Sequence, residues 1–159
     1  MIFFLGNSQT WLWGSQTNGY FRSGDSGATW EAIAGMSTTH LQGTELVQRD
    51  DGTYFLAGAA GIYRSPDGTA SSWRLIQGTG PIVGGMVSTG KNLYAGPCYG
   101  GGACQHAPLL TSALSDGNTW IKVNTYPDIP QGGNFGYDSG HHLFYSSNMA
   151  QGLWRAVMQ

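Results

Sequence analysis

Nine carboxylates, four histidines and two cysteines are the side chains of this chain best suited to acid–base, nucleophilic or metal chemistry. General acid–base work commonly takes paired carboxylates placed on either side of a reacting bond. The only glutamates are Glu31 and Glu45, and Glu31 follows Trp30 in a short strand-like run. Three of the aspartates, Asp25, Asp67 and Asp116, sit in turn-like segments rich in Ser, Gly and Thr. Such a carboxylate bonds backbone N–H groups and locks a turn, so these three are read as structural. Cys98, Cys104 and His106 lack the paired C-x₂-C spacing of structural zinc, so neither a metal nor a cofactor is expected. The run Pro97–His106 holds both cysteines around three glycines. A Cys98–Cys104 disulfide would favour an oxidising compartment, outside the cell or in the periplasm, while two free thiols would fit a cytosolic protein. Ligand-binding candidates are His40, Glu45, Tyr99, His106, Tyr126 and Asp128, for a reason of geometry given below.

The composition narrows the classes available. In 159 residues only 10% are charged, net charge is −2, and 26 glycines alternate with 20 aromatic residues. Short aromatic strands between glycine turns explain that mixture better than a flexible linker does. Two lysines and five arginines offer no basic face for a phosphate backbone, so nucleic acid is not an expected partner. No apolar run reaches the roughly 18 residues of a membrane span, and Ile2–Leu5 is too short for a signal peptide.

The elements that must position these residues come from an internal repeat. Gly19-Tyr20-Phe21-Arg22-Ser23, Gly61-Ile62-Tyr63-Arg64-Ser65 and Gly152-Leu153-Trp154-Arg155-Ala156 are copies of one phrase, with Leu109–Ala113 a weaker fourth. Their last residues, 23, 65, 113 and 156, are spaced by 42, 48 and 43, a period typical of four-stranded propeller blades. Upstream stands an aromatic strand in each copy: Trp11–Gly14, Phe55–Gly58, Leu93–Gly96 and Leu143–Ser146. Downstream of the first three come Trp30–Ile33, Trp73–Ile76 and Trp120–Val123. Each unit therefore reads as strands A, B, C and D, and no stretch holds a helical apolar period. The expected fold is all-β: a partial β-propeller, single domain 1–159, of about three and a half four-stranded antiparallel blades. Their approximate spans are 1–40, 41–82, 83–130 and an incomplete 131–159. The missing blades would come from upstream sequence or, as the minority reading, from a second copy.

Between strands C and D of the first unit, Ser23, Asp25, Gly27, Thr29 and Trp30 fit S-x-D-x-G-x-T-W at every specified position. The second copy keeps Ser65, Asp67 and Trp73 with one extra residue, and the third keeps Gly117, Thr119 and Trp120. This pattern resembles the Asp-box, or BNR repeat, of sialidase-like propellers. The resemblance implies that serine and aspartate brace the turn, glycine takes a positive φ, and tryptophan is buried beneath it. The sialidase F/Y-R-I-P motif is absent; Phe21-Arg22-Ser23-Gly24 and Tyr63-Arg64-Ser65-Pro66 are strand C entering the turn. Arg22, Arg64 and Arg155 share one repeat position, which suits inter-strand or inter-blade partners.

In an antiparallel A-B-C-D blade the A–B and C–D turns share one face, and the B–C and D–A connections share the other. Long, variable connections carry sites more often than tight turns do. The six ligand-binding candidates all lie in or beside B–C and D–A connections. The favoured function is a non-catalytic scaffold binding a glycan or a protein, as in the sortilin-type and photosystem-assembly propellers that the repeat resembles. The alternative is the C-terminal blades of a secreted glycoside hydrolase, sialidase- or xyloglucanase-like, with catalytic residues partly outside this chain.

Overall fold

The structure is a computed structural model and describes residues 1–6, 9–15, 17–36, 45–58, 60–80, 83–97, 108–123, 134–148 and 152–158. Fifteen strands form four antiparallel sheets among these residues. The first sheet is β1 (Ile2–Phe4), β2 (Trp11–Ser15), β3 (Gly19–Ser23) and β4 (Glu31–Ala32). The second is β5 (Leu46–Gln48), β6 (Tyr54–Gly58), β7 (Gly61–Ser65) and β8 (Arg74–Leu75). The third is β9 (Val83–Ser88), β10 (Asn92–Pro97), β11 (Leu110–Ala113) and β12 (Ile121–Lys122). The fourth has three strands, β13 (Phe135–Asp138), β14 (Leu143–Asn148) and β15 (Gly152–Val157). Every strand pairs only with its neighbour in sequence, which is the meander of a propeller blade. The fold is all-β, a partial β-propeller of three four-stranded blades and one three-stranded blade.

The blades stack through three apolar clusters. Leu12, Tyr20 and Ile33 of the first blade meet Tyr54, Leu56 and Trp73 of the second. Phe55 and Ile62 on the second blade's other face meet Leu93 and Ala95 of the third. Leu109 of the third meets Phe135 and Phe144 of the fourth. Strand alternation makes this possible, because the inner blades must be apolar on both faces; all five residues of β6 are buried.

Two registers differ from those expected. Ser15 lies opposite Gly19 and Gly58 opposite Gly61, so Leu12, and not Trp11, is the counterpart of Phe55. The first B–C hairpin has one more residue than the second, and a slip of one residue exchanges the two faces of a strand. In the third blade Val123 N–H donates to Leu109 O at 2.8 Å, as Ile33 does to Tyr20 O and Ile76 to Ile62 O. Ser112 is thus the counterpart of Ser23 and Ser65, and all three are buried. The phrase recurs at 23, 65, 112 and 156, and the third turn, like the second, is one residue longer than the first.

The end blades show what the inner ones hide. Trp73 is 3% exposed because the first blade covers it, whereas its counterpart Trp30 is 37% exposed. Trp30 instead packs edge-on to Trp13 at 5.9 Å between ring centroids, within an aromatic face that includes Phe4 and Trp11. The expected burial of tryptophan beneath its turn therefore holds for Trp73 and fails for Trp30, whose outer side no blade covers among the described residues. At the other end Leu153, the counterpart of the buried Tyr20, Ile62 and Leu109, is 71% exposed.

Candidate functional site

Two sets of carboxylates occupy opposite electrostatic worlds. In the first C–D turn, the Ser23 hydroxyl accepts from Gly27 N–H at 2.8 Å and donates to Asp25 Oδ1 at 2.8 Å. Asp25 in turn accepts from Thr29 N–H at 2.8 Å and from the Thr29 hydroxyl at 2.7 Å. These donors hold its carboxyl down at about 2, with the Thr29 amide the largest cause. Gly27 turns at φ 88, and the Trp30 indole N–H donates to its carbonyl at 3.0 Å. The second turn repeats the scheme, with Ser65 accepting from Gly68 N–H at 2.7 Å and Asp67 accepting from Thr69 N–H at 3.0 Å. In the third, Asp116 accepts from Thr119 N–H at 2.8 Å, and the Trp120 indole reaches Gly117 O at 3.1 Å. Asp116 does this from a position nearer Thr119 than Asp25 is to Thr29. Ser112 does not bond the turn amides; the Ala113 carbonyl accepts from Gly117 N–H at 2.9 Å instead. Asp67 and Asp116 are likewise held below the usual carboxylate range, chiefly by hydrogen bonds from Ser72 and Thr119. Asp51, in an A–B turn, and Asp138, at the end of β13, are lowered as well, by the Thr53 amide and by His141 respectively. Each of these five acids serves its own loop.

Glu45 is the exception. It immediately precedes β5, and its carbonyl accepts from Ala57 N–H of β6 at 3.0 Å. Its carboxylate reaches across to the third and fourth blades. Oε2 accepts from Met86 N–H of β9 at 2.8 Å, and Oε1 accepts from Phe135 N–H of β13 at 3.0 Å. β5, β9 and β13 are the first strands of their sheets, so one side chain bonds where three first strands converge. Burial raises its pKa to about 7, against the opposing pull of the two amide donors. Near neutrality Glu45 is divided between acid and carboxylate, the state in which a carboxyl can donate as well as accept a proton. The five aspartates are held low by donors in their own loops, whereas Glu45 is raised by burial between blades.

Of the other sequence-derived candidates, His40, Tyr99, His106, Tyr126 and Asp128 lie outside the described residues, as do Cys98 and Cys104. Among the described residues no second interior carboxylate stands near Glu45 to complete a hydrolytic pair, and no three His, Cys, Asp or Glu side chains converge as metal ligands. Sequence reasoning placed Glu45 beside a D–A connection but missed its span across three blades. That span depends on side-chain reach between sheets, which carries no local signal.

No protein-family model matches the chain, and no curated protein matches its sequence. Solved structures do resemble it. An ancestral GH74 enzyme superposes on 99% of this chain with a TM-score of 0.72 and 11% identity. A GH74 enzyme from Niastella koreensis covers 89% at 0.61 and 23% identity. The GH74 xyloglucanase from Xanthomonas campestris covers 94% at 0.56 and 19% identity. This chain spans only 22%, 23% and 27% of those three chains respectively. At these identities the likeness establishes the fold, and the chain has the architecture of part of a longer propeller.

Proposed function

We propose that these residues form blades of a larger, carbohydrate-active β-propeller of the glycoside hydrolase kind, contributing scaffold and part of a polysaccharide-binding face. The observation that carries this is the near-complete superposition on about a fifth of a GH74 enzyme. It favours the hydrolase alternative over the non-catalytic glycan- or protein-binding scaffold to which the sequence points. The exposed Trp30 and Leu153 support it, since each stands where an inner blade buries its counterpart. In this reading the blades span about 1–40, 41–82, 83–130 and 131–159, the C–D turns are Asp-boxes, and further blades of the same polypeptide cover both ends. The connections bearing His40, Tyr99, His106, Tyr126 and Asp128, together with Glu45, are assigned to the sugar. An extracellular or periplasmic location follows from a polymeric substrate.

Affinity electrophoresis of the chain in gels containing xyloglucan, with dextran as control, tests the proposal. Retardation by xyloglucan without release of reducing ends is the expected result. Release of oligosaccharides by this chain would support the hydrolase reading and place the catalytic pair within these residues. Equal mobility in xyloglucan, other β-glucans and dextran would overturn it.

A further inference from the structure

The repeat sets an ion pair in one blade against two like charges in the next. In the first blade Arg22 of β3 lies directly opposite Glu31 of β4, and the two form an ion pair at 3.0 Å. The same place in the second blade pairs Arg64 of β7 with Arg74 of β8. Where one blade has an attraction, its neighbour has two like charges face to face, an arrangement that destabilises a sheet unless something lies between them. Arg74 is held by two backbone carbonyls, Ser71 O and Trp73 O, both at 2.7 Å. Those bonds hold its Nη1, and no carboxylate pairs with Arg74 among the described residues. Arg22 and Arg64 both turn a buried Nε inward without a partner, but only Arg22 has a carboxylate on its outer nitrogen. The acid that feels the charge of Arg64, Asp51, is paired with Arg49 at 3.0 Å.

The arginine pair also borders a cavity. A cleft of about 500 Å³ between the second and third blades sets Arg64, Arg74, Ser72 and the C–D turn residue Asn118 against the apolar Leu75 and Ile76. That volume lies within the range of small-molecule sites. Guanidinium groups bind oxyanions in forked, two-point fashion, which a single ammonium does not. We infer that this cleft is an oxyanion site, taking a carboxylate, sulfate or phosphate group through Arg64 and Arg74. The inference does not rest on the polysaccharide reading: a free oxyanion and an acidic sugar share the same chemistry.

The test is titration of the intact chain, followed by the Nε–H resonances of its arginines. Sodium sulfate, sodium phosphate and glucuronate are compared with glucose and with sodium chloride at matched ionic strength. Saturable movement of the Arg64 signal by an oxyanion is expected. Saturation by glucuronate at lower concentration than by the inorganic ions would identify an acidic sugar as the ligand; the reverse order would identify a free oxyanion. Arg74→Glu restores the ion pair of the first blade, so it should fold at least as stably and bind at least tenfold more weakly. Non-saturating movement equal to that in chloride, or unchanged binding by Arg74→Glu, would overturn the site.

Discussion

Glu45 shows how far a single side chain can couple blades that share no backbone pairing. Its raised pKa fixes the sign of a pH effect. In the unfolded chain it titrates near the ordinary 4.5, in the folded protein near 7. The folded state therefore holds the proton more tightly, so its contribution to stability is complete below pH 4.5 and is lost as the pH rises through 7. The loss should be of order 3 kcal/mol. Urea unfolding at a series of pH values should show this decline in the wild type and a flatter profile for Glu45→Gln. Parallel profiles would mean that the group is not perturbed. Asp25 has the opposite character, since its lowered pKa keeps it ionised through this window. That contrast was half legible in the sequence. The S-x-D-x-G-x-T-W spacing dictates local bonds, so Asp25 could be read as structural from its neighbours alone. Glu45 has no such motif, because its partners Met86 and Phe135 are 41 and 90 residues away.

Among the elements, the strands were legible because alternation and glycine turns are local, whereas the register was not. Leu12 against Phe55 and Ser112 against Ser23 were set by hairpin and turn lengths that a phrase comparison absorbs without notice. The C–D turn of the third blade shows what such lengths protect. Gly117 has φ +66, and a Cβ there would run into the ring of Phe55 in the second blade. Gly35, at φ +78, has open space around it. Gly117→Ala should therefore cost about 2–4 kcal/mol, combining overpacking with backbone strain, and Gly35→Ala only about 1 kcal/mol. Thermal unfolding of the two variants side by side separates the terms; equal losses would remove the inter-blade contact from the account.

For the molecule as a whole, the open end faces are complementary by construction. The first blade presents the face with which each later blade packs on its predecessor, and the fourth presents the face that receives a successor. The chain alone should therefore associate head to tail, a heterologous contact that can continue beyond a dimer. Sedimentation velocity should show concentration-dependent growth, suppressed by Leu153→Lys or Phe4→Asp at little cost to the monomer, since both sites are exposed. A single monomeric boundary at all concentrations would contradict this. The repeat made the propeller readable, yet it could not say which faces were open, because identical phrases meet different neighbours. The pairing of each strand only with its sequence neighbour also bears on how the molecule comes into being. Hairpins close over short loops, so the entropic barrier to each sheet is low and folding needs no distant strand to arrive first. A nascent chain leaving the ribosome can complete one sheet before the next emerges, and each finished sheet becomes the template on which its successor condenses.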